Sequence, residues 1–392
     1  MAETAPYATR YLPYLQNAQP TMLERLATLV NIDSGTGQVE GINRIIALLA
    51  QWLDEFGFII TLHESDGLGK NLVARHRGLG QQRLLLVGHI DTVYPASSTT
   101  SNPFTIHDDT AYGPGVIDMK SGIIMGISAL QALLAAGFTQ YGQLCFVINN
   151  DEEVGSPAST ALIRDIAATI DVGLVLEPSR AEHVLTRARK GSDKYILEVR
   201  GVPAHSGAEP HKGRSAVIEL AYKMIAIHNL NTLFPGVTCN VTRISSSEQL
   251  NVIPDMARCH ISVRAFTTEH LDMAAEALER ITAGCSIPGT STILTRTPSR
   301  RPYRTTPALQ HLIELAQLEG QSLGWEMIAE GKGGVSDANT LMEMDVPTLD
   351  SLGPVGGHMH DLNKEFLHVD SLVTRGALLA GLIEHICLAN DK

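Results

Sequence analysis

The chain has 392 residues, 44% of them hydrophobic, and a formal net charge of −12 at pH 7. That length supports a sizeable core and exceeds one ordinary domain, so two domains are expected. The acidic balance excludes a nucleic-acid partner, since phosphate binding needs clustered Lys and Arg, but leaves room for an anionic substrate held by a few local arginines.

In chain order, residues 21–30 and 41–56 carry apolar side chains at helical spacing, with a loop at Asp33-Ser34-Gly35-Thr36-Gly37 between them. Three short runs of strand length come next: Leu84-Leu85-Leu86-Val87, Leu144-Cys145-Phe146-Val147-Ile148 and Val172-Gly173-Leu174-Val175-Leu176. Runs apolar on both faces suit strands in a sheet covered by helices. The segments 122–137 and 157–169 are helical in pattern, so the first part reads as α/β layering. From Tyr195 the texture changes to alternation, in Tyr195–Val199 and Arg258–Arg264, with helices at 213–228 and 268–283. Alternation marks strands with one solvated face. After Arg301-Pro302 the helix–strand texture returns. The expected fold is α/β, a mixed sheet covered by helices on both faces, with an inserted α+β sandwich. The catalytic domain takes residues 1–189 and 302–392, and the inserted one 190–301.

No apolar run is read as reaching the ~18–20 residues that span a bilayer, and no membrane partner is expected. The start, Met1-Ala2-Glu3-Thr4-Ala5-Pro6, lacks the basic and apolar regions of a signal peptide. The expected compartment is the cytoplasm as the chain stands; a periplasmic or secreted protein whose leader had been removed would look the same. The five cysteines, an odd number without a CxxC pair, read as small buried hydrophobes.

Each buried run ends in residues with chemistry to offer. The first leads into Gly88-His89-Ile90-Asp91, the second into Asp151-Glu152-Glu153, the third into Glu177-Pro178. Gly113-Pro114-Gly115 and Asp118 lie between the first two, and Thr348-Leu349 leads towards His358 and His360. Ligands of open α/β sheets bind beyond the carboxyl ends of the strands. His, Asp and Glu are the donors of a nitrogen/oxygen metal site, and crowded carboxylates call for a cation. A lone strand-end histidine is ordinarily surface, and an isolated acidic run is ordinarily a solvated turn; the ordered set is what points to metal. Asp91, two residues after His89, can accept the proton of the second imidazole nitrogen. Adjacent Glu152 and Glu153 suggest one ligand and one general base.

The set resembles the M20 metallopeptidases, and within them the glutamate carboxypeptidases of the carboxypeptidase G2 type. The matching stretches are Leu29–Gly37, Gly88–Tyr94, Ala111–Gly115 with Asp118, Asp151–Glu153, Glu177-Pro178, Ala204-His205-Ser206-Gly207, Asn251–Pro254 and Gly333-Gly334 with Asp337-Ala338. The resemblance implies two Zn2+ per subunit, with Co2+ able to substitute. His89 and Glu177 would hold one, Glu153 and His360 the other, and Asp118 would bridge them, with a cis peptide after it. His358 competes for the place of His360, whose distance from Gly353-Pro354 is the one that matches. Asp91 would support His89, Glu152 would be general base and acid, and His205 of the inserted domain would donate to the oxyanion. Arg264 would grip the substrate's α-carboxylate, with Asn251 and Arg301 as further substrate contacts. The lysine that grips the glutamate side chain in relatives has no counterpart near 183–185.

The implied activity is hydrolysis of the amide linking a C-terminal amino acid, glutamate being the expected one, to an acyl or peptidyl group. Water activated on zinc attacks the carbonyl, with Glu152 moving the proton. The alternative is an N-acyl-amino-acid deacylase of the acetylornithine deacetylase or succinyl-diaminopimelate desuccinylase type. A non-catalytic metal-stabilised binding protein would lack the base or the bridging acid; Glu152 and Asp118 are both present. The partners implied are a small molecule or short peptide with a free carboxylate and a second copy of the chain, as a homodimer.

Overall fold

The computed structural model describes residues 6–389, apart from the side chains at 298 and 299; the opening Met1–Ala5, where the expectation of no leader falls, lies outside them. The chain forms two compact units, one of residues 1–187, 305–330 and 336–392, the other of residues 188–304 and 331–335. The second unit thus runs past the expected 190–301 at both ends and also takes in the short segment from Gly331 to Val335.

The first unit is built on a six-stranded mixed sheet flanked by helices. Its strands run, in spatial order, Ile59–Ser65, Gly69–Arg77, Gln143–Asn149, Arg83–His89, Val172–Val175 and Thr348–Leu349. The first pair is an antiparallel hairpin, and Gly69–Arg77 joins Gln143–Asn149 antiparallel. The remaining pairings are parallel. Parallel strands buried on both faces require apolar side chains throughout, and Leu84–Val87, Leu144–Ile148 and Leu174–Leu176 are all buried. Register places His89 opposite Asn149, so the chain leaves the sheet for His89, Glu152-Glu153 and Glu177 at neighbouring strand ends.

The helix expected at 21–30 runs instead over Ala8–Val30, with Pro13 and Pro20 inside it. Each interior proline costs a helix about 3 kcal/mol of propensity. Burial of Tyr11, Leu15, Met22, Leu26, Leu29 and Val30 opposes that cost, and the Glu319 carboxylate accepts the backbone N–H groups of Tyr7 and Ala8 at 2.8 and 2.7 Å. Among the described residues, two helices are long and apolar enough to cross a membrane, contrary to the reading of the apolar runs. The apolar window of Val116–Ala135 is wholly buried, and 83% of that of Ser371–Ala389 is buried, so packing in the core accounts for their composition. Of the cysteines, Cys145, Cys239, Cys259 and Cys387 are buried and Cys285 is exposed.

The second unit has a four-stranded antiparallel sheet, in the order Thr238–Ser246, Met256–Ala265, Gly191–Arg200, Ser291–Arg300. Alternate side chains such as Tyr195, Leu197, Val199, Ile261 and Val263 face a core closed by Leu220, Ile227, Leu271 and Leu278 of the helices Ala216–Leu233 and Thr268–Ala283. One covered face is what alternation requires.

Candidate metal centre and active site

Seven of the singled-out side chains converge at the carboxyl edge of the large sheet. His89 is the last residue of its strand and 2% exposed. Its Nε2 lies 3.2 Å from Asp118 Oδ1 and 3.8 Å from Glu177 Oε1. The other oxygen of Asp118 is 3.2 Å from His360 Nε2, which is 3.3 Å from Glu153 Oε2. Asp118 thus stands between two groups, one oxygen towards each.

The backbone explains how these residues arrive. Gly115 takes φ +72°, and a Cβ there would meet the Thr92 side chain at 2.6 Å, so the turn before Asp118 needs glycine. The Asp118–Met119 peptide is cis, as the resemblance implied. After the strand Thr348–Leu349, Leu352 N–H donates to the Val175 carbonyl at 3.2 Å and Gly353 N–H to that of Glu177 at 2.9 Å. A side chain at Gly353 would lie 2.3 Å from the Leu176 carbonyl oxygen. This close passage carries the chain towards His360. His358 packs its ring 6.0 Å from that of Phe366, and it is His360 that reaches Asp118 and Glu153.

Asp91 meets His89 chiefly through its backbone. The His89 Nδ1 meets the Asp91 backbone carbonyl at 3.0 Å, while the carboxylate is farther, at 3.4 Å. The carbonyl accepts only, so it fixes the proton on Nδ1 and leaves Nε2 as a donor atom for a metal. The fully buried Asp91 carboxylate instead accepts Glu152 N–H at 3.1 Å, Glu153 N–H at 3.2 Å and the Thr36 hydroxyl at 2.7 Å. It holds the backbone of both glutamates. Asp151, the first acid of that run, is also fully buried and accepts the Ala158 N–H at 2.7 Å, which ties down the loop beyond it.

The donor set fits a pair of divalent cations. His89, Glu152 and Glu177 form one group that can hold a metal ion, and Asp118, Glu153 and His360 a second, with ligand atoms in each within 4.8 Å of one another. Tetrahedral nitrogen and oxygen donors about 2.1 Å from one ion are about 3.4 Å apart, close to the spacings observed here. Asp118 Oδ1 is buried without an aligned hydrogen bond, although His89 Nε2 is near, as a lone pair directed at an ion would be. Charge agrees. Hydrogen bonds donated to the Asp118 and Glu153 carboxylates raise the His360 imidazole to about 10. Burial disfavours the His89 imidazolium, yet Asp118 and Asp91 outweigh it and hold the ring well above its ordinary value. Burial likewise opposes the Asp118 carboxylate, but His360 and His89 keep its carboxyl below the usual range. These acids demand positive charge.

Residues 85–385 match peptidase family M20/M25/M40. The chain belongs to this family. It is an M20 metallopeptidase/hydrolase, and so an enzyme. Over 369 residues it is 30% identical to carboxypeptidase G2 of Pseudomonas sp. (strain RS-16), covering 93% of this chain and 89% of that protein. It is 31% identical to the succinyl-diaminopimelate desuccinylase of Xanthomonas euvesicatoria over 359 residues, 87% of this chain and 93% of that one. Its fold matches a dinuclear metal binding peptidase of the M20 family from Bacillus subtilis with a TM-score of 0.68 at 15% identity, covering 95% of this chain and 99% of that one.

The remaining singled-out residues of this M20 chain lie in the second unit. His205 pairs with Val252 across a short antiparallel ladder, beside Asn251, whose carbonyl accepts the Ser206 N–H at 2.9 Å. The backbone N–H groups of Gly207 and Ala208 donate to His205 Nδ1 at 3.2 and 3.1 Å. Nδ1 is therefore an acceptor, and the ring proton sits on Nε2 as a donor. Arg264 and Arg300 flank Ser192 in one row across the small sheet, and Arg301 comes directly after. Arg264 Nη1 donates to the Gly333 carbonyl at 3.1 Å, within the segment that joins this unit. Sequence reasoning passed over Glu365, which is 2% exposed and hydrogen-bonded to the turn before Asp118. Its place five residues after His360 is the signal in the chain that points to it.

Proposed function

We propose that this chain is a two-zinc carboxypeptidase or amidohydrolase that releases a C-terminal amino acid, glutamate foremost, from an acyl or peptidyl group. The observation that carries this is Asp118, with one oxygen towards His89 and the other towards His360, 3.2 Å from each. Imidazole and carboxylate donors at these spacings suit zinc. His89 and Glu177 would hold one ion, Glu153 and His360 the other, with Asp118 common to both. When bound, such a pair supplies Lewis acidity and lowers the pKa of a water molecule.

The chain's own residues do the rest. Glu152 shares the His89–Glu177 side of the site and has its backbone fixed by Asp91. It takes the proton of the attacking water and delivers it to the leaving nitrogen. His205 donates its Nε2 proton to the oxygen that becomes negative. Arg264 holds the α-carboxylate of the departing amino acid through a planar fork of donors, with Asn251 and Arg301 as further contacts. His205→Ala is expected to lower kcat about 10²–10³-fold, as loss of an oxyanion donor does, while the zinc content stays at wild type; unchanged kcat would remove His205 from the reaction.

Glutamate as leaving group is supported by the likeness to carboxypeptidase G2. The second reading, an N-acyl-amino-acid deacylase, is supported by the desuccinylase likeness at similar identity. The acyl side separates them. Folate or methotrexate is to be assayed beside short N-acetyl and N-succinyl amino acids, with zinc added. Faster cleavage of the former supports the carboxypeptidase, faster cleavage of the latter the deacylase, and cleavage of neither class would sink both.

A further inference from the structure

Glu365 takes no part in moving protons or holding substrate, yet it is buried, ionisable and pressed against the site. A carboxylate removed from water is costly unless its lone pairs are satisfied. Here both oxygens are. Glu365 Oε1 accepts the backbone N–H groups of Ile117 at 3.0 Å and Asp118 at 3.1 Å. Its Oε2 accepts Gly115 N–H at 3.1 Å and the Tyr94 hydroxyl. Lys120 lies within electrostatic reach and donates to the Ile32 carbonyl at 3.1 Å.

The turn needs such an acceptor. Residues 116–120 form a wide irregular helical turn in which Asp118 and Met119 depart from helical backbone angles. The N–H groups of Gly115, Ile117 and Asp118 converge on one carboxylate, which takes the place of the carbonyls a regular helix would offer. The same stretch of chain, 360–365, also carries His360. One short segment therefore sets both His360 and the backbone of Asp118, the two residues that meet at 3.2 Å.

We propose that Glu365 is a positioning residue for the metal centre: held by Tyr94, its carboxylate clamps the Gly115–Asp118 turn so that Asp118 offers one oxygen to each metal. The proposal rests on the two-metal reading of the proposed function. Glu365 itself lies outside both groups of candidate metal ligands.

The test uses Glu365→Gln, which keeps the volume but places an amide against backbone donors. Zinc stoichiometry and affinity are read by competition with a chromogenic chelator, and the melting temperature is read on chelator-stripped protein. Glu384→Gln is the control. Glu384 is another buried carboxylate, bonded to Arg10 and to the Tyr11 hydroxyl. Glu365→Gln is expected to weaken zinc binding about 10–100-fold, as loss of an outer partner does. Glu384→Gln is expected to lower the melting temperature and keep wild-type zinc affinity. Wild-type affinity in Glu365→Gln would overturn the clamp, as would an equal loss of affinity in the control. Should Glu365→Gln fail to fold, Tyr94→Phe removes one of the four donors, and a smaller loss in the same direction is expected; no loss overturns the proposal. If the wild-type protein itself takes up no zinc, the two-metal reading falls and the clamp with it. If both wild type and Glu365→Gln bind two zinc ions equally well, only the clamp falls.

Discussion

Glu152→Gln is expected to keep both metal ions and to lose kcat by about 10³-fold, within the range for removal of a general base. That factor corresponds to about 4 kcal/mol of barrier. The substitution keeps the side chain's size and removes only its ability to accept a proton. The geometry separates Glu152 from its neighbour. Both have their backbone N–H on the Asp91 carboxylate, at 3.1 and 3.2 Å. Glu153 then turns towards His360, while Glu152 lies with His89 and Glu177. Atomic absorption and steady-state kinetics on the same sample check the expectation. A kcat close to wild type would remove Glu152 as the base, and loss of one metal equivalent would make it a ligand instead.

The second large effect is expected from Asp118→Asn. Asp118 lies close to both histidines, and it is 8% exposed, so water cannot easily replace it. Loss of an outer partner costs a metal site about 10–100-fold in affinity, and loss of a shared anionic ligand is expected to exceed about 100-fold. Proton release gives an independent readout. In chelator-stripped protein the His360 ring, at about 10, carries a proton at neutral pH, and His89, also raised, does the same. A metal needs neutral imidazoles, so its uptake releases these protons and its affinity weakens as the pH falls. Asparagine cannot stabilise the imidazolium as aspartate does, so fewer protons are released. Calorimetry in buffers of different ionisation heat measures this. Unchanged metal content and proton release in Asp118→Asn would remove it from the centre.

The readable parts of the fold were those where one physical demand dominates. Leu84–Val87 and Leu144–Ile148 are apolar because both faces of their strands are covered, and the chemistry at His89, Glu153 and Glu177 sits at or just beyond the strand ends. The hairpin Ile59–Arg77 gave no such signal, since its outer strand is mostly exposed and mixes Thr61, His63 and Glu64 with apolar residues; only the Asp66-Gly67 turn marked it. The first turns of the helix Ala8–Val30 were hidden by Pro13 and Pro20, because local propensity there opposes what packing enforces.

The metal centre divides along the same line. The sequence by itself determined the α/β class and the candidate donors His89, Asp118, Glu153 and Glu177 with a histidine at 358 or 360, since burial pattern and ligand chemistry are properties of residue type and order. Only the tertiary structure decided that His360 rather than His358 meets Asp118, that Asp91 holds the Glu152-Glu153 backbone while its own carbonyl orients His89, and that Glu365 lies buried beneath the turn. Most of these are hydrogen bonds or distances between segments far apart in the chain. Such contacts are set by parallel strand register and close backbone passage, which no local periodicity encodes.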